Sequence, residues 1–206
     1  MVDPQVLAHL TSKGVPCAAI GALALATHGA ARYSSDTDLL VMDPAVLRES
    51  FWADSGLASP EIRIGDSSDP LAGLVRFHGI APLDVVVGKS RAARFALESA
   101  MDSPILPCKV ITPVGLTLLK IEAGGPKDLQ DLSMLRSAQK ALTGWVMNTS
   151  IEPHLQLLKR SDKETWNKFL TLFSEDPAKS QDPFQGGHPE TKDDDDDEDL
   201  GPDRKL

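Results

Sequence analysis

The sequence predicts an α+β fold in which a small mixed β-sheet is flanked by helices, followed by a helical C-terminal section and a disordered acidic tail. Short apolar segments alternate with helix-prone segments over residues 1–111, which indicates a sheet with helices on its faces. Helix signals then dominate residues 112–173. Residues 174–206 are strongly acidic and have no apolar periodicity. We therefore expect three parts, with the chemistry in the first.

The net charge of −9 is concentrated in the tail. Residues 174–206 contain 12 acidic and 4 basic side chains, which leaves a net charge of only −1 for residues 1–173. Because like charges repel and this segment offers no apolar face, the tail is expected to be disordered. The nearly neutral remainder, with 5% aromatic residues, disfavours a plain nucleic-acid-binding protein, which would carry a dense basic stripe.

No segment has the features of a membrane span or an export signal. The longest apolar candidate, residues 15–31, is interrupted by two glycines and a histidine, and a span needs about 20 apolar residues. The N-terminus lacks the basic start and apolar run of a signal peptide. A cytoplasmic protein without a membrane partner is therefore expected. Its two cysteines, Cys17 and Cys108, are interpreted as small buried hydrophobic residues.

The first predicted unit is strand–helix–strand. Residues 15–20 are short, apolar and end at a glycine, as a buried strand does. Residues 22–27 are rich in alanine and leucine and favour a helix, which His28-Gly29 ends. Residues 36–42 have the composition of the next strand. Asp43-Pro44 then begin a helix, because an aspartate cap followed by proline at the first helical position is a typical start.

Three strands are predicted after this unit, at residues 61–64, 74–77 and 82–87. The last of them ends in three consecutive valines, which favour a strand. The short link at residues 78–81 indicates that the second and third strands form an antiparallel hairpin. A helix and a further strand are expected next, at residues 90–100 and 105–111.

The C-terminal section is predicted to be helical. Thr112-Pro113 cap a helix that runs to about residue 123, where Gly124-Gly125-Pro126 break it. Residues 127–142 place leucines on or near one face of the next helix. Ser161 and Glu164 have the spacing of a capping box and so begin a last helix. Its large side chains are interpreted as packing residues: Trp166, Phe169, Leu170 and Phe173.

Three aspartates form the main candidate site. Asp36 and Asp38 are two residues apart on a predicted strand, so both side chains point to the same face. Asp84 lies within an apolar strand, where a charge is costly to bury alone. If the two strands are neighbours, the three carboxylates meet, and such oxygen ligands suit Mg²⁺. Each part alone also fits a simpler interpretation, a solvated strand end for Asp-x-Asp and an edge-strand charge for Asp84.

The spacing of these residues resembles a known signature. Gly21-Ala22, thirteen intervening residues and then Asp36-Thr37-Asp38-Leu39 look like the motif of the DNA polymerase β-type nucleotidyltransferase superfamily, whose third carboxylate comes from a later strand. The stretches 28–38 and 112–132 are similar to the minimal nucleotidyltransferases of the abortive-infection and toxin type. Ala22 departs from the usual second glycine or serine, and Thr37 from the usual hydrophobic residue.

The resemblance implies roles for five residues of the motif. Asp36 and Asp38 would ligate two Mg²⁺ ions, with Mn²⁺ as a possible substitute. Asp84 would complete the site for the ion that activates the nucleophile, and it could accept the nucleophile's proton. Gly21 and Ala22 would cradle the β- and γ-phosphates of the nucleotide.

Further residues are assigned to nucleotide binding by the same resemblance. Lys120 would pair with the triphosphate as a point charge, although it also suits the solvated face of an amphipathic helix. Arg32 would bind phosphate or pair with one of the strand aspartates. Asp128 is included, although it and Asp131 fall in the first turn of a helix, where acids are favoured regardless of function.

The implied activity is an Mg²⁺-dependent nucleotidyltransferase with its catalytic core in residues 1–111. It would move a nucleoside monophosphate from an NTP to a hydroxyl and release pyrophosphate. The acceptor stays open between RNA such as a tRNA end, a protein and a small molecule. By analogy, the family resemblance favours a toxin–antitoxin or phage-defence role with a cognate antitoxin as partner. The alternative is a nucleotidyltransferase-fold module that binds nucleotide or a protein partner with weak or no catalysis, which Ala22 favours.

Overall fold

One mixed β-sheet forms the centre of the domain. The computed structural model describes residues 2–172 except residues 68, 80 and 145. Within these residues the strands are β1 (Ala18–Ile20), β2 (Thr37–Val41), β3 (Glu61–Ile64), β4 (Leu71–Phe77), β5 (Leu83–Gly88) and β6 (Lys109–Val110). They pair in the order β3-β4-β5-β2-β1-β6. Strand β2 is parallel to β5 and β6 is parallel to β1, whereas the other pairs are antiparallel.

Helices pack on this sheet and make up the C-terminal section. They are α1 (Pro4–Ser12), α2 (Gly21–Thr27), α3 (Glu49–Trp52), α4 (Arg91–Glu98), α5 (Pro113–Ala123), α6 (Pro126–Thr143), α7 (Met147–Ile151) and α8 (Arg160–Leu172). Helix α2 contacts β1 and β2, α4 contacts β2, and α5 contacts α4, α6, α7 and α8. The predicted α+β class, a mixed sheet flanked by helices with a helical C-terminal section, is confirmed.

The predicted hairpin is also confirmed. Strands β4 and β5 are antiparallel neighbours, and every residue of β5 is buried. This burial explains the run of valines, because a strand covered on both faces needs apolar side chains on both. Within such a strand, Asp84 stands out as a charged residue with only 5% of its surface exposed.

Helix α5 begins and ends where the sequence predicts. The Thr112 side chain accepts a hydrogen bond from the Gly115 N–H at 3.2 Å, and Pro113 occupies the first turn. Gly124 ends the helix with a φ of 63°, a left-handed conformation that glycine adopts without a Cβ penalty. These two ends fix the position of Lys120 within the helix.

Two predicted strands are shorter in the structure than in the prediction. The strand expected at residues 15–20 is limited to Ala18–Ile20, and the one expected at residues 105–111 is limited to Lys109–Val110. Pro16 and Pro107 explain the difference, because proline lacks the N–H that a strand ladder requires.

Two predicted helix starts are wrong in detail. Asp43 does cap the Ala45 N–H, but Pro44–Leu47 form a 3₁₀ turn and the short α3 follows. The capping box expected at Ser161 and Glu164 does not begin the last helix, which starts at Arg160. There the Asp162 carboxylate accepts a hydrogen bond from the Lys159 N–H at 3.1 Å instead.

Three elements are not among those predicted. Helix α1 carries the same pattern of aspartate cap and proline, Asp3-Pro4, that identifies other helix starts. Helix α7 and the 3₁₀ turn Glu152–Leu157 follow α6. Of the predicted packing residues in α8, Trp166 and Phe169 are buried and Leu170 is half-buried. Phe173 and the predicted tail at residues 174–206 lie outside the described residues.

Two features bear on the expected setting of the protein. In the described part of the chain, no helix combines the length and apolar character that crossing a membrane requires. Cys17 and Cys108 are half-buried rather than fully buried. Burial, with a smaller contribution from the nearby Cys108, raises the pKa of the Cys17 thiol to about 11, so that this thiol stays protonated at neutral pH.

Candidate active site

Asp38 and Asp84 are aligned on neighbouring strands. In the parallel pair of β2 and β5, the Cα atoms of these two residues are register partners, so their side chains lie on the same face of the sheet. Asp36 lies just before β2, and about one third of its side chain is exposed. Burial raises the pKa of Asp38, and the charges of Asp84 and Asp36 raise it further. The three carboxylates therefore repel one another across a short distance.

Arg76 supplies the positive charge among these carboxylates. It lies on β4 as the register partner of Asp84. Its Nε donates to Asp84 Oδ1 at 2.7 Å and its Nη2 to Asp84 Oδ2 at 2.5 Å, while Nη2 lies 3.6 Å from Asp36 Oδ2. The hydrogen bonds and charge of Asp84 raise the pKa of Arg76. We call Asp36, Asp38, Asp84 and Arg76 the carboxylate cluster.

Arg76 is not among the predicted site residues, although the sequence contains the signal for it. The predicted hairpin joins residues 74–77 to residues 82–87 through a short link. Antiparallel pairing across that link places Arg76 opposite Asp84. A buried aspartate in a predicted hairpin therefore indicates a positively charged residue at the facing position of the other strand.

Gly21 brings the backbone against the cluster. Its φ of 59° is in the left-handed region, and a Cβ at this position would collide with the Asp38 carboxylate. Only glycine meets both conditions without strain. The predicted site residue Ala22 follows in the first turn of α2 and is buried.

A second group of charged residues connects α5, α6 and the segment before β2. The Arg32 guanidinium donates to both oxygens of Asp131, at 2.7 and 3.2 Å. Lys120 Nζ lies 2.7 Å from Asp128 Oδ1 and 2.7 Å from Asp131 Oδ2. The Asp128 carboxylate also accepts the Gly125 N–H at the start of α6. We call Arg32, Lys120, Asp128 and Asp131 the cation network.

Asp131 is the centre of the cation network, and only 1% of its surface is exposed. Its burial favours the neutral acid. The hydrogen bonds and charges of Arg32 and Lys120 outweigh that effect, and the pKa of Asp131 is lowered. The network brings three predicted nucleotide-binding residues, Arg32, Lys120 and Asp128, into one set of ion pairs. The positive charges of Lys120 and Arg32 favour the ionised form of Asp38 and so oppose the rise in its pKa. The cation network therefore acts electrostatically on the carboxylate cluster.

A cavity of about 220 Å³ is lined by members of both groups. Its walls are mainly apolar side chains of the sheet, α4 and α5, and Gly21, Asp38, Lys120 and Asp128 line it as well. Glu122 adds a further carboxylate, whose pKa is raised by burial and which accepts a hydrogen bond from Ser90 Oγ at 2.8 Å. Pockets for whole drug-sized ligands begin at about 300 Å³. The cavity therefore accommodates one group of a larger ligand.

The donor set of the carboxylate cluster fits a hard divalent cation. Carboxylate oxygens are the protein ligands of Mg²⁺, and no hydrogen bond or ion pair to the Asp38 carboxylate comes from the described residues. In this structure, however, the Asp84 carboxylate is bound by Arg76. Among residues 2–172 without the three gaps, no group of three or more His, Cys, Asp or Glu side chains is gathered as a metal-ligand set. Asp84 directs both of its oxygens to Arg76 instead.

His28 has a structural role. It ends α2, and its Nε2 donates to the Ile111 carbonyl oxygen at 2.7 Å, while Gln139 donates to the His28 carbonyl oxygen. Burial lowers the pKa of His28, which keeps the imidazole neutral. These bonds join the end of α2 to α6 and to the residue that follows β6.

Comparison with known proteins gives structural similarity only. No protein-family model matches the chain, and no curated protein matches its sequence. The chain is similar to a solution structure of the antibiotic-resistance factor ANT(2'')-Ia, at 12% identity and a TM-score of 0.47, over 82% of this chain and 91% of that chain. A crystal structure of ANT(2'')-Ia in complex with adenylyl-2''-tobramycin gives 12% identity and a TM-score of 0.47, over 80% of this chain and 95% of that one.

A third solved structure extends the comparison. An antigenic nucleotidyltransferase-like protein from Paracoccidioides brasiliensis is similar at 15% identity and a TM-score of 0.37, over 82% of this chain and 94% of that chain.

Proposed function

We propose that the protein is a nucleotidyltransferase that depends on a divalent cation. It moves a nucleoside monophosphate from an NTP to a hydroxyl acceptor and releases pyrophosphate. The observation that carries this proposal is the alignment of Asp38 with Asp84 on adjacent parallel strands, with Asp36 beside them. The cluster has a surplus of negative charge, three carboxylates against one arginine, and it lies next to a cavity that Lys120 also lines.

Asp36, Asp38 and Asp84 are the residues that would hold the cation, Mg²⁺ or Mn²⁺. When bound there, the cation would activate the attacking hydroxyl and neutralise negative charge on the pyrophosphate leaving group. Gly21 keeps the backbone against Asp38, where a larger residue would displace the carboxylate. Ala22 follows it, and its backbone N–H is the group that the motif assigns to phosphate.

Lys120 is the residue proposed to contact the triphosphate. An ammonium group has three donors, and Asp128 and Asp131 take two of those on Lys120, so that one is left for a phosphate oxygen. Arg32 holds Asp131, and through Asp131 it fixes the position of Lys120. Charge neutralisation by prearranged groups of this kind is a large part of catalysis in phosphate transfer.

The acceptor and the biological role are a further part of the proposal. RNA such as a tRNA end, a protein hydroxyl and a small-molecule hydroxyl each satisfy the chemistry. A role in a toxin–antitoxin or phage-defence system, with a cognate antitoxin as partner, follows from the motif resemblance alone. Action in the cytoplasm is a separate part of the proposal.

Transfer of label tests the function. The protein is incubated with Mg²⁺ or Mn²⁺ and each NTP, labelled in turn at the α- and γ-phosphate, together with total RNA, protein extract or a small-molecule fraction. We expect α-label on one acceptor class and γ-label only in released pyrophosphate. Asp38→Asn should lower the rate of transfer by at least about 10²-fold, whereas Asp102→Asn, at an exposed residue paired with Lys109, should leave it unchanged. Absence of α-transfer with all NTPs, cations and acceptors would contradict the proposal.

A second candidate function is a nucleotide-binding module without turnover. The observation that favours it is the engagement of both Asp84 oxygens by Arg76. Equilibrium binding of a non-hydrolysable NTP analogue, combined with the label-transfer assay, separates the candidates. A module binds the analogue and transfers no label from NTP. The enzyme binds the analogue and also transfers label from NTP.

A further inference from the structure

Arg76 binds the Asp84 carboxylate oxygens that the proposed divalent cation would also use. The guanidinium lies on both oxygens of Asp84 in the fork geometry that makes arginine–carboxylate pairs strong. It also lies within ion-pair distance of Asp36. A cation bound to Asp84 would lie next to the guanidinium charge, and the repulsion between the two positive charges favours withdrawal of the guanidinium from the oxygen that binds the cation.

Arg76 has a second carboxylate within its reach. Glu61 on β3 is its register partner on the side away from Asp84, and the charge of Glu61 acts on the guanidinium. Glu61 is more exposed than Asp84, and it also pairs with Arg63 and His78 at the surface. The Arg76 side chain therefore lies between a buried acid and an exposed one, on a stem long enough to move from the first toward the second.

We propose that Arg76 is a positioning residue that holds Asp84 until a divalent cation displaces its guanidinium, and that this competition sets the cation concentration at which the site fills. The inference rests on the proposed function in one respect, that Asp84 is a cation ligand. In the cation-free protein, Arg76 neutralises part of the repulsion within the carboxylate cluster. With the cation bound, the guanidinium turns toward Glu61 and the solvent.

The competition has a measurable consequence. The apparent affinity for the cation is reduced in proportion to the fraction of molecules whose site is free to bind it. A contact of Arg76 with Asp84 in about nine molecules of ten therefore weakens cation binding by about tenfold. Arg76→Gln removes the guanidinium charge and retains a polar side chain. Lys109→Gln is the control, since Lys109 is also a strand cation paired with a carboxylate, Asp102, but belongs neither to the carboxylate cluster nor to the ion pairs of Glu61.

Binding of Mn²⁺ alone, followed by the electron paramagnetic resonance signal of the free ion, tests the proposal. We expect Arg76→Gln to bind Mn²⁺ about tenfold or more tightly than the wild type, and Lys109→Gln to bind like the wild type. A purely structural role for Arg76 gives the opposite result, because a disordered Asp84 binds the ion more weakly. Unchanged or weaker binding by a folded Arg76→Gln, or no binding by any of the proteins, would overturn the proposal.

Arg76→Lys covers the case in which the glutamine variant does not fold. Lysine keeps the charge but loses the bidentate fork, so we expect Mn²⁺ binding tighter than in the wild type by a smaller factor. The wild type provides a further readout, the ¹⁵N–¹H signal of Arg76 Nε during a Mg²⁺ titration. That signal should shift as Nε leaves Asp84 Oδ1. A signal unchanged at saturating Mg²⁺ would overturn the proposal.

The outcomes for this inference and for the proposed function are separable. Tighter Mn²⁺ binding by Arg76→Gln without label transfer by the wild type supports the competition and removes the enzymatic proposal. Label transfer by the wild type with unchanged Mn²⁺ affinity in Arg76→Gln supports the enzyme and removes the competition.

Discussion

The carboxylate cluster and the cation network differ in charge balance. The cluster contains three carboxylates and one arginine, whereas the network contains two carboxylates, one arginine and one lysine. Each group includes a poorly exposed aspartate that makes the difference visible. The pKa of Asp38 is raised by burial and by its acidic neighbours, and the pKa of Asp131 is lowered by the hydrogen bonds that outweigh its burial.

This difference in charge balance indicates that the two groups have different roles. A balanced set of buried ion pairs is complete by itself and keeps Arg32 and Lys120 in fixed positions. A set with surplus negative charge is stabilised when a cation or a proton binds, because the repulsion between its carboxylates is then relieved. In the proposed function, the reactive chemistry would take place at Asp38, and the network around Asp131 would position the nucleotide.

Removal of Asp131 gives the largest expected effect on stability. Asp131→Ala leaves Arg32 and Lys120 partly buried without their shared counter-ion, and breaking a buried pair in this way costs about 3–5 kcal/mol. Urea denaturation measures the loss, with Asp102→Ala at an exposed position as the control. A loss below about 1 kcal/mol would mean that the network behaves as a surface ion pair.

Removal of the Asp38 charge separates activity from stability. Asp38→Asn is expected to lower the rate of label transfer by at least about 10²- to 10³-fold, the loss typical of removing one charge-stabilising group. The same variant should unfold a few degrees higher than the wild type at neutral pH, because it removes the repulsion from Asp84 and Asp36. A lower melting temperature would show that Asp38 is already compensated in the cation-free protein.

A pair of glycines sharpens the comparison at smaller scale. Gly21 and Gly14 both have a left-handed φ, of 59° and 67°, so alanine costs about 1–2 kcal/mol in backbone strain at either position. Only at Gly21 would the new Cβ also meet the Asp38 carboxylate, whereas nothing lies within 4 Å at Gly14. Gly21→Ala should therefore lose more stability than Gly14→Ala and should alone reduce label transfer. Equal losses of stability and full activity in both variants would contradict this arrangement.

The smallest effects are those of pH on stability. Asp131 has a lowered pKa, so its contribution is fully present above the ordinary value of 3.8 and is lost as the pH falls through the folded-state value. Asp38 has a raised pKa, so its ionised form destabilises the protein above that raised value, and the penalty disappears as the pH falls toward 3.8. Melting temperatures of Asp131→Ala and Asp38→Asn should thus converge on the wild type from opposite sides on acidification. Parallel pH profiles for the three proteins would contradict the assigned directions.

Much of the fold could be predicted because its signals are local. Helix α5 has its cap, its proline and its terminal glycine within the sequence of the helix itself, and β5 shows its burial in its own composition. The bounds of β1 and β6 could not be predicted from composition, because each strand extends only as far as a neighbouring strand pairs with it. The pairing of β1 with β6 begins after Pro16 and Pro107. The last helix begins at Arg160, ahead of the predicted capping box, because the Asp162 carboxylate accepts the Lys159 N–H at the helix start and the Ser161 hydroxyl donates to Asp162 instead of capping.

The candidate site divides along the same line. Asp36 and Asp38 belong to one strand segment, and the hairpin signal contains the information that pairs Arg76 with Asp84. The parallel pairing of β2 with β5 joins segments about 46 residues apart, and no local rule fixes its register. The contact of Arg32 with Asp131 spans 99 residues and depends on how α6 packs, so the ion pairs of the cation network could not be derived from spacing.

Side-chain carboxyl titration by ¹³C NMR, with and without Mg²⁺, tests the contrast between the two groups most directly. We predict that Asp38 titrates above the ordinary range for aspartate and Asp131 below it, and that Mg²⁺ lowers the pKa of Asp38 while leaving that of Asp131 unchanged. An Asp38 that titrates in the ordinary range and does not respond to Mg²⁺ would contradict the assignment of the carboxylate cluster as the reactive site.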